Sequence, residues 1–272
     1  MSLVMRGIGA IWGALMLATF SAVSGLAQGP EASRPVEPGR LAGLIAAYPD
    51  ALDQIEGSDL VWRDGTRMRV DDGQGAKTFD DWLARPDIKD MLALTYPAGQ
   101  PATAPAKGFD PGRARNANFF EKLYGNCKRG EVEANLVAVV WLPKKYGRVI
   151  AFNGRHGAAA RLSAVSVRLD RLPPSYDKYL MPPAGTYNCR AIAGTDRASA
   201  HGYGIAIDIS TKHAHYWRWP GANGSALTYR NEIPIEIVDA FEAEGFIWGG
   251  RWSHFDTMHF EYRPELTRPA QR

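Results

Sequence analysis

The sequence predicts an α+β fold, in which a small antiparallel sheet is flanked by helices. Three observations support this prediction: the composition is that of a globular protein, the strand-like runs are short and rich in β-branched residues, and helical patterns lie between them. The chain has 272 residues, of which 45% are hydrophobic and 22% are charged. This balance excludes a disordered chain, a collagen-like repeat and a coiled coil.

The N-terminus has the layout of a signal peptide. Arg6 precedes the apolar residues 7–20, and small residues follow as far as Ala27. A membrane-spanning helix needs about 20 apolar residues, and this stretch is shorter. We therefore predict a signal peptide over residues 1–27, cleavage after Ala27 and a periplasmic or secreted mature protein without a stable membrane span. An uncleaved N-terminal anchor is the alternative.

Charge and cysteine content exclude further classes. The formal net charge of +3 is too small for a nucleic-acid-binding protein, and two cysteines are too few for a disulfide framework or a thiolate zinc site. In an exported protein, however, Cys127 and Cys189 are able to oxidise to a disulfide. Two buried, unpaired thiols are the alternative.

The first half of the chain gives weaker structural signals. Residues 28–40 contain three prolines and no periodicity, which is typical of a linker. Residues 60–62 and 67–70 flank Asp64-Gly65, a predicted hairpin turn. Short helices are predicted over residues 79–84 and 88–94. We assign residues 28–130 to a linker and N-terminal extension that packs on the main domain.

The second half gives the stronger signals, and we assign residues 131–272 to one domain. Short runs of β-branched and other apolar residues predict strands over 135–142, 148–152, 186–192, 204–210, 246–248 and 259–263. Hydrophobic residues at helical spacing predict helices over 157–172 and 234–244. Pro173 ends the first helix, and Gly245 caps the second.

Two histidines lie in segments that call for a chemical explanation. His201 is followed seven residues later by Asp208, within an apolar strand where a carboxylate is costly unless it is paired or bound to a metal. Gly204 lets the chain bend so that the two side chains approach each other. Further along, Asp256 precedes His259 by three residues. Two imidazoles and one carboxylate suit zinc and leave a fourth position open for water, with Asp256 beside it as a general base.

These segments resemble a known family. The pattern S-x-H-x-x-G-x-A-x-D over residues 199–208 resembles that of the zinc D-alanyl-D-alanine carboxypeptidases. That family includes vancomycin-resistance D,D-carboxypeptidases and phage L-alanyl-D-glutamate endolysins, and its fold is shared with the hedgehog signalling domain. The closing W-x-x-x-D-x-x-H-F over residues 252–260 is similar to the branch with an aspartate base. The resemblance extends over about residues 135–265.

The resemblance implies a role for each matching residue. The implied zinc ligands are His201, Asp208 and His259. The implied base is Asp256, and Ser199 would help to hold the substrate. Arg190 matches the family arginine that binds a substrate carboxylate or the developing oxyanion, both of which suit a guanidinium. Its surroundings depart from the family's S-G-Y-R-S pattern, because the sequence here reads Tyr187-Asn-Cys-Arg190-Ala.

Other polar and aromatic residues leave alternatives open. The segment 213–219 (HAHYWRW) either lines a cleft or forms a half-buried aromatic cluster through His213, His215, Trp217 and Trp219. His254 fits no family position and is expected at the cleft rim or in solvent. Glu261 is either an acceptor for His259 or His201 or a partner in a surface salt bridge.

The expected function is that of an exported zinc metallopeptidase acting on the stem peptides of peptidoglycan. Within that class the resemblance favours a D-alanyl-D-alanine carboxypeptidase. An L-alanyl-D-glutamate endopeptidase and a non-catalytic, zinc-stabilised module that binds the cell wall are the alternatives. The sequence indicates neither a nucleic-acid partner nor an oligomeric state.

Overall fold

The fold consists of three small antiparallel sheets with helices packed around them. The computed structural model describes residues 38–192, 194–219 and 228–267, so the predicted signal peptide over residues 1–27 lies outside them. The α+β class is confirmed, with three separate sheets in the described residues. Within the same ranges, no helix has both the length and the apolar character needed to cross a bilayer.

The described ranges contain short helices and strands throughout. The helices are α1 (Pro38–Ala47), α2 (Phe79–Ala84), α3 (Ile88–Met91), α4 (Ala117–Tyr124), α5 (Ala158–Leu169), α6 (Asp177–Leu180), α7 (Ile235–Glu242) and α8 (Pro264–Thr267). The strands are β1 (Leu52–Glu56), β2 (Asp59–Trp62), β3 (Arg67–Arg69), β4 (Leu136–Trp141), β5 (Arg148–Asn153), β6 (Ala206–Asp208), β7 (Phe246–Trp248) and β8 (His259–Tyr262).

The sheet order is simple. Strands β1, β2 and β3 form a meander, β4 pairs with β5, and β8 lies between β6 and β7. The predicted hairpin around Asp64-Gly65 is confirmed, because β2 and β3 pair antiparallel with Val61 opposite Arg67. The predicted helices over 157–172 and 234–244 correspond to α5 and α7, each shorter by a few residues.

The sheet of β6, β8 and β7 separates an apolar face from a polar face. Ile207 of β6 lies opposite Phe260 of β8, and Phe241 of α7 stacks on Phe260 with ring centroids 3.8 Å apart. The next pair in the register is Asp208 opposite His259. Because successive side chains of a strand point to opposite faces, burial of Phe260 turns His259 and Asp208 together towards the other side.

The predicted N-terminal extension shares its core with the rest of the protein. Leu44 and Phe119 are fully buried in the same hydrophobic cluster as Phe260. The Tyr48 hydroxyl donates a 2.7 Å hydrogen bond to the buried Glu265 of α8. Residues on both sides of position 130 therefore contribute to one packed interior, and the boundary at that position stays a prediction.

Several elements differ from the prediction. Residues 186–192 do not form a strand, because their backbone turns towards the loop that carries His201: the amide of Asn188 donates to the His201 carbonyl, and that of Ser199 donates to the Arg190 carbonyl. Helix α1 begins at Pro38, inside the predicted linker, since proline is tolerated in the first turn of a helix. Strand β1 and helix α4 were not predicted.

A mutation in the extension tests whether its core is shared. Phe120 of α4 is fully buried, with its ring 5.6 Å from that of Tyr203. Phe120→Ala should lower the free energy of unfolding by about 3–5 kcal/mol, because it removes a ring and leaves a cavity. Chemical denaturation measures the loss, with Val149→Ala on the exposed edge of β5 as a control that should change stability by less than about 0.5 kcal/mol. Equal stabilities of the two variants would contradict a shared core.

Candidate metal centre

The loop before β6 places His201 at the site. Residues 200–203 form a short 3-10 helix whose N-terminus is capped by Ser199, since the Ser199 hydroxyl accepts a hydrogen bond from the His201 amide. The helix ends at Gly204, which has a positive φ of 67°. A Cβ there would lie 3.0 Å from Leu136 Cδ2, so the conformation and the lack of space both favour glycine. This turn directs His201 back towards Asp208.

The structure brings the three predicted ligands, His201, Asp208 and His259, together. Asp208 Oδ1 lies 3.2 Å from His201 Nε2 and 3.0 Å from His259 Nδ1. One ligand atom from each side chain lies within 4.8 Å of the others. Two imidazole nitrogens and a carboxylate oxygen converging in this way match the donor set of a three-ligand zinc site.

Hydrogen bonds on the far side of each imidazole fix its orientation. His201 Nδ1 donates to the carbonyl oxygen of Thr186, which only accepts, so Nε2 carries the free lone pair when the ring is neutral. His259 Nε2 donates to Glu261 Oε2 at 3.1 Å, so Nδ1 carries the free lone pair when this ring is neutral. Acceptors of this kind hold histidine ligands in the tautomer that a metal requires. The interpretation of Glu261 as an acceptor for His259 is confirmed.

The electrostatics of the cluster favour a cation. Burial alone would lower the pKa of His259, but hydrogen bonds from its ring to Asp208 and Glu261 raise it to about 10. Burial would raise the pKa of Asp208, yet His201 and His259 hold it well below its usual range. The site therefore stabilises positive charge beside an ionised carboxylate. Together with the orientation of the imidazoles, this charge distribution fits a divalent metal ion.

Glu261 is part of a buried charge network rather than a surface salt bridge. Its carboxylate is fully buried and pairs with Arg115 at 2.6 Å and with Arg263 at 2.9 Å. Arg263 in turn contacts Glu265, the partner of Tyr48. Burial would raise the pKa of Glu261, but Arg115, His259 and Arg263 keep it well below its usual range. The network links the His259 ring to Tyr48, the residue directly after helix α1.

Asp256 lies beside the ligands and is the expected general base. Its amide donates to the carbonyl of Gly249, and its Oδ1 atom is buried without a hydrogen-bond partner among the described residues. Burial and then the negative charge of Asp208 raise the pKa of Asp256 to about 6. A buried carboxylate oxygen left unpaired in a pocket is positioned to accept a proton from a water molecule there.

The site opens into a small cavity of about 120 Å³, which we call the metal pocket. The three ligands and Asp256 line it together with Ser199, Ile192, Tyr216, Trp252 and four arginines: Arg113, Arg115, Arg190 and Arg197. The predicted substrate-binding residues Ser199 and Arg190 therefore both reach the pocket. Ser199 is buried and caps the 3-10 helix, whereas Arg190 is exposed and makes no ion pair with a described residue.

A disulfide joins the loop that carries Arg190 to the extension. Cys127 and Cys189 are bridged, with an S–S distance of 2.02 Å. Cys189 is adjacent to Arg190, so the bridge restrains the position of that arginine relative to α4. The bridge inferred from the predicted export is present.

The remaining candidates lie outside the ligand set. His254 is half-buried, and its Nδ1 contacts Asp110 Oδ2 at 2.8 Å. His213 and His215 both contact Glu232. In the segment 213–219, the ring of Tyr216 contacts those of Trp217 and Trp219, which forms an aromatic cluster, while Tyr216 also reaches the metal pocket.

Sequence reasoning missed three of the arginines. Arg113 donates to the His254 carbonyl at 2.7 Å and packs over the Trp252 ring at 5.3 Å. Arg115 pairs with Glu261, and Arg197 lies two residues before the predicted motif. Arg113 and Arg115 lie in a proline-rich loop, and no sequence pattern there predicts that they lie near His259, which is more than 140 residues further along the chain.

The metal content of variants tests the ligand set. Purified protein should contain about one zinc ion per chain, because the described residues form one open site with two imidazoles and a carboxylate. His201→Ala and His259→Ala should each lose most of it, as measured by atomic emission after dialysis. His213→Ala is the matched control and should keep its zinc. Full occupancy in both ligand variants would refute the assignment.

A comparison with known protein families gives a match. The sequence profile of a family described as D-alanyl-D-alanine carboxypeptidase matches residues 193–262. This segment is shorter than the expected 135–265, but it contains both motifs and all three proposed ligands. No curated protein and no solved structure matches the chain significantly. Over residues 193–262, the match confirms the D-alanyl-D-alanine carboxypeptidase family as the one that the motifs resemble.

Proposed function

We propose that this protein is an exported, zinc-dependent D-alanyl-D-alanine carboxypeptidase that acts on peptidoglycan stem peptides. The observation that carries the proposal is the meeting of His201, Asp208 and His259 beside the unpaired Oδ1 of Asp256. A site that merely stabilised the fold would not require a buried carboxylate without a partner next to its ligands. The family match over residues 193–262 supports the same reaction class.

The metal and the base have separate tasks. Zinc held by the three ligands would supply Lewis acidity at the scissile carbonyl and activate a water molecule. Asp256 accepts the proton of the attacking water at Oδ1 and delivers it to the amine that leaves. Glu261 and the Thr186 carbonyl keep the two imidazoles oriented while this happens. Arg190, which reaches the metal pocket, stabilises the negative charge that develops on the oxygen of the scissile carbonyl.

The size and charge of the metal pocket favour a carboxypeptidase. The pocket of about 120 Å³ is bordered by the rings of Tyr216 and Trp252, so it accepts a short part of a peptide. The guanidinium of Arg113 is held there by the His254 carbonyl and by Trp252. A single small residue with a free terminal carboxylate matches such a pocket, because a guanidinium binds carboxylates through paired hydrogen bonds.

Export agrees with two features of the chain. Residues 1–27 have the composition of a signal peptide. The Cys127–Cys189 bridge is of the kind that persists in an oxidising compartment. Peptidoglycan stem peptides are accessible in the periplasm or outside the cell, which is where such a protein would act.

Replacement of the base tests the mechanism. Asp256→Asn keeps the shape of the side chain but cannot accept a proton at neutral pH. Zinc content and thermal stability should be unchanged, while turnover of pentapeptide muropeptides should fall by about 10²–10⁴-fold. Mass spectrometry of the products identifies the bond: loss of one alanine indicates a carboxypeptidase, and release of the stem after its first alanine indicates the endopeptidase.

The matched control is Asp239→Asn, on the exposed face of α7, which should leave turnover unchanged. Near-normal turnover in Asp256→Asn would exclude Asp256 as the base. A wild-type protein that holds zinc and binds peptidoglycan but hydrolyses no muropeptide would instead establish the non-catalytic binding module.

A further inference from the structure

A second, larger cavity adjoins the metal pocket. Its volume is about 530 Å³, and it shares Arg115, Arg190 and Arg197 with the metal pocket. We call it the arginine groove. Residues 84–86 and 115–118 of the predicted extension form one side, and the Cys127–Cys189 bridge lies in its wall. Because the two cavities share a border, a peptide with its terminal residue in the metal pocket would continue into the groove.

The groove is basic. Five basic side chains line it against two acidic ones, Glu121 and Asp196. Two of the basic side chains already have partners within the protein, since Arg85 pairs with Asp81 and Arg115 pairs with Glu261. Arg197 differs from these two, because its guanidinium makes no hydrogen bond or ion pair with a described residue.

The surroundings of Arg197 favour the binding of an anion. It is half-buried at the border of both cavities, where water screens charge less than at an open surface. Burial, and then the positive charges of Arg115 and Arg113, lower its pKa to about 10, while Asp80 opposes the shift. A half-buried guanidinium among like charges is stabilised when a carboxylate joins it.

We propose that the arginine groove binds the acyl part of the substrate and that Arg197 pairs there with a free carboxylate on that part. This inference rests on the proposed function and specifies its substrate class: stem peptides that carry an ionised carboxylate before the scissile bond. Amidation of that carboxylate removes the negative charge while it preserves the length and shape of the peptide. Arg197 is thus a specificity-determining residue, distinct from the groups that bind the terminal carboxylate.

Two synthetic pentapeptides that differ at one group test the inference. The first is L-Ala-γ-D-Glu-L-Lys-D-Ala-D-Ala, and the second carries D-isoglutamine in place of D-glutamate. Wild-type protein should cleave the acidic peptide with a kcat/KM about 10-fold higher or more, mainly through a lower KM, as expected for a charge-assisted hydrogen bond. Added salt should reduce the preference, because it screens the pair.

Arg197→Gln should lower this preference to below about 3-fold by raising the KM of the acidic peptide, and Arg197→Lys should keep part of it because the charge remains. Arg129→Gln is the control, since Arg129 pairs with Glu131 outside both cavities and should keep the wild-type preference. Equal cleavage of the two peptides by the wild type would overturn the inference. An equal loss for both peptides in Arg197→Gln would also overturn it, because Arg197 would then serve the shared terminal carboxylate.

A binding measurement tests this inference independently of the proposed peptidase activity. Titration calorimetry of Asp256→Asn protein with each pentapeptide measures affinity without hydrolysis. The acidic peptide should bind about 10-fold more tightly, and Arg197→Gln in the same background should remove the difference. If neither peptide is cleaved by the wild type, the carboxypeptidase assignment fails, and the calorimetry still decides whether the groove selects a carboxylate. Equal affinities would refute the groove's role.

Discussion

The pairing of β6 with β8 is the constraint on which the site depends. Asp208 lies opposite His259 in this ladder, and the adjacent pair, Ile207 and Phe260, is fully buried, with Phe260 stacked on Phe241 of α7. A shift of the register by one residue would turn Phe260 towards the polar face and His259 into the core, at a large cost in hydrophobic burial. The free energy that holds Phe260 in the core therefore also keeps the carboxylate and the imidazole together.

The predicted extension contributes to this site as much as to the core. Arg115 neutralises Glu261, which would otherwise be a buried carboxylate shared by the His259 ring and Arg263 alone. Removal of one partner from such a network leaves an uncompensated buried charge. This is far more destabilising than replacement of all the charged partners by apolar side chains. The extension thus stabilises the orientation of His259 and lines the two cavities. This double role explains why its packing is continuous with the motif-bearing part of the chain.

The local motifs could be predicted from the sequence, whereas the contacts between distant segments could not. His201, Asp208 and His259 lie in short patterns whose spacing limits their chemistry, and the alternation of isoleucines around Asp208 predicts its strand. Arg113 and Arg115 lie in a loop rich in proline and glycine, where no periodicity indicates which surface they reach. Residues 186–192 have the composition of a strand, but their backbone amides and carbonyls form hydrogen bonds with the loop around His201. Tertiary contacts of this kind decide structure where local preference is weak.

The proposed activity depends on the claim that both imidazoles and Asp208 hold one metal ion with a coordination position left open. X-ray absorption spectroscopy at the zinc edge of the loaded protein tests this claim most directly. We expect two imidazole nitrogens at about 2.0–2.1 Å, with oxygen atoms completing the first shell. A spectrum with fewer than two imidazoles, or with sulfur in the first shell, would contradict it.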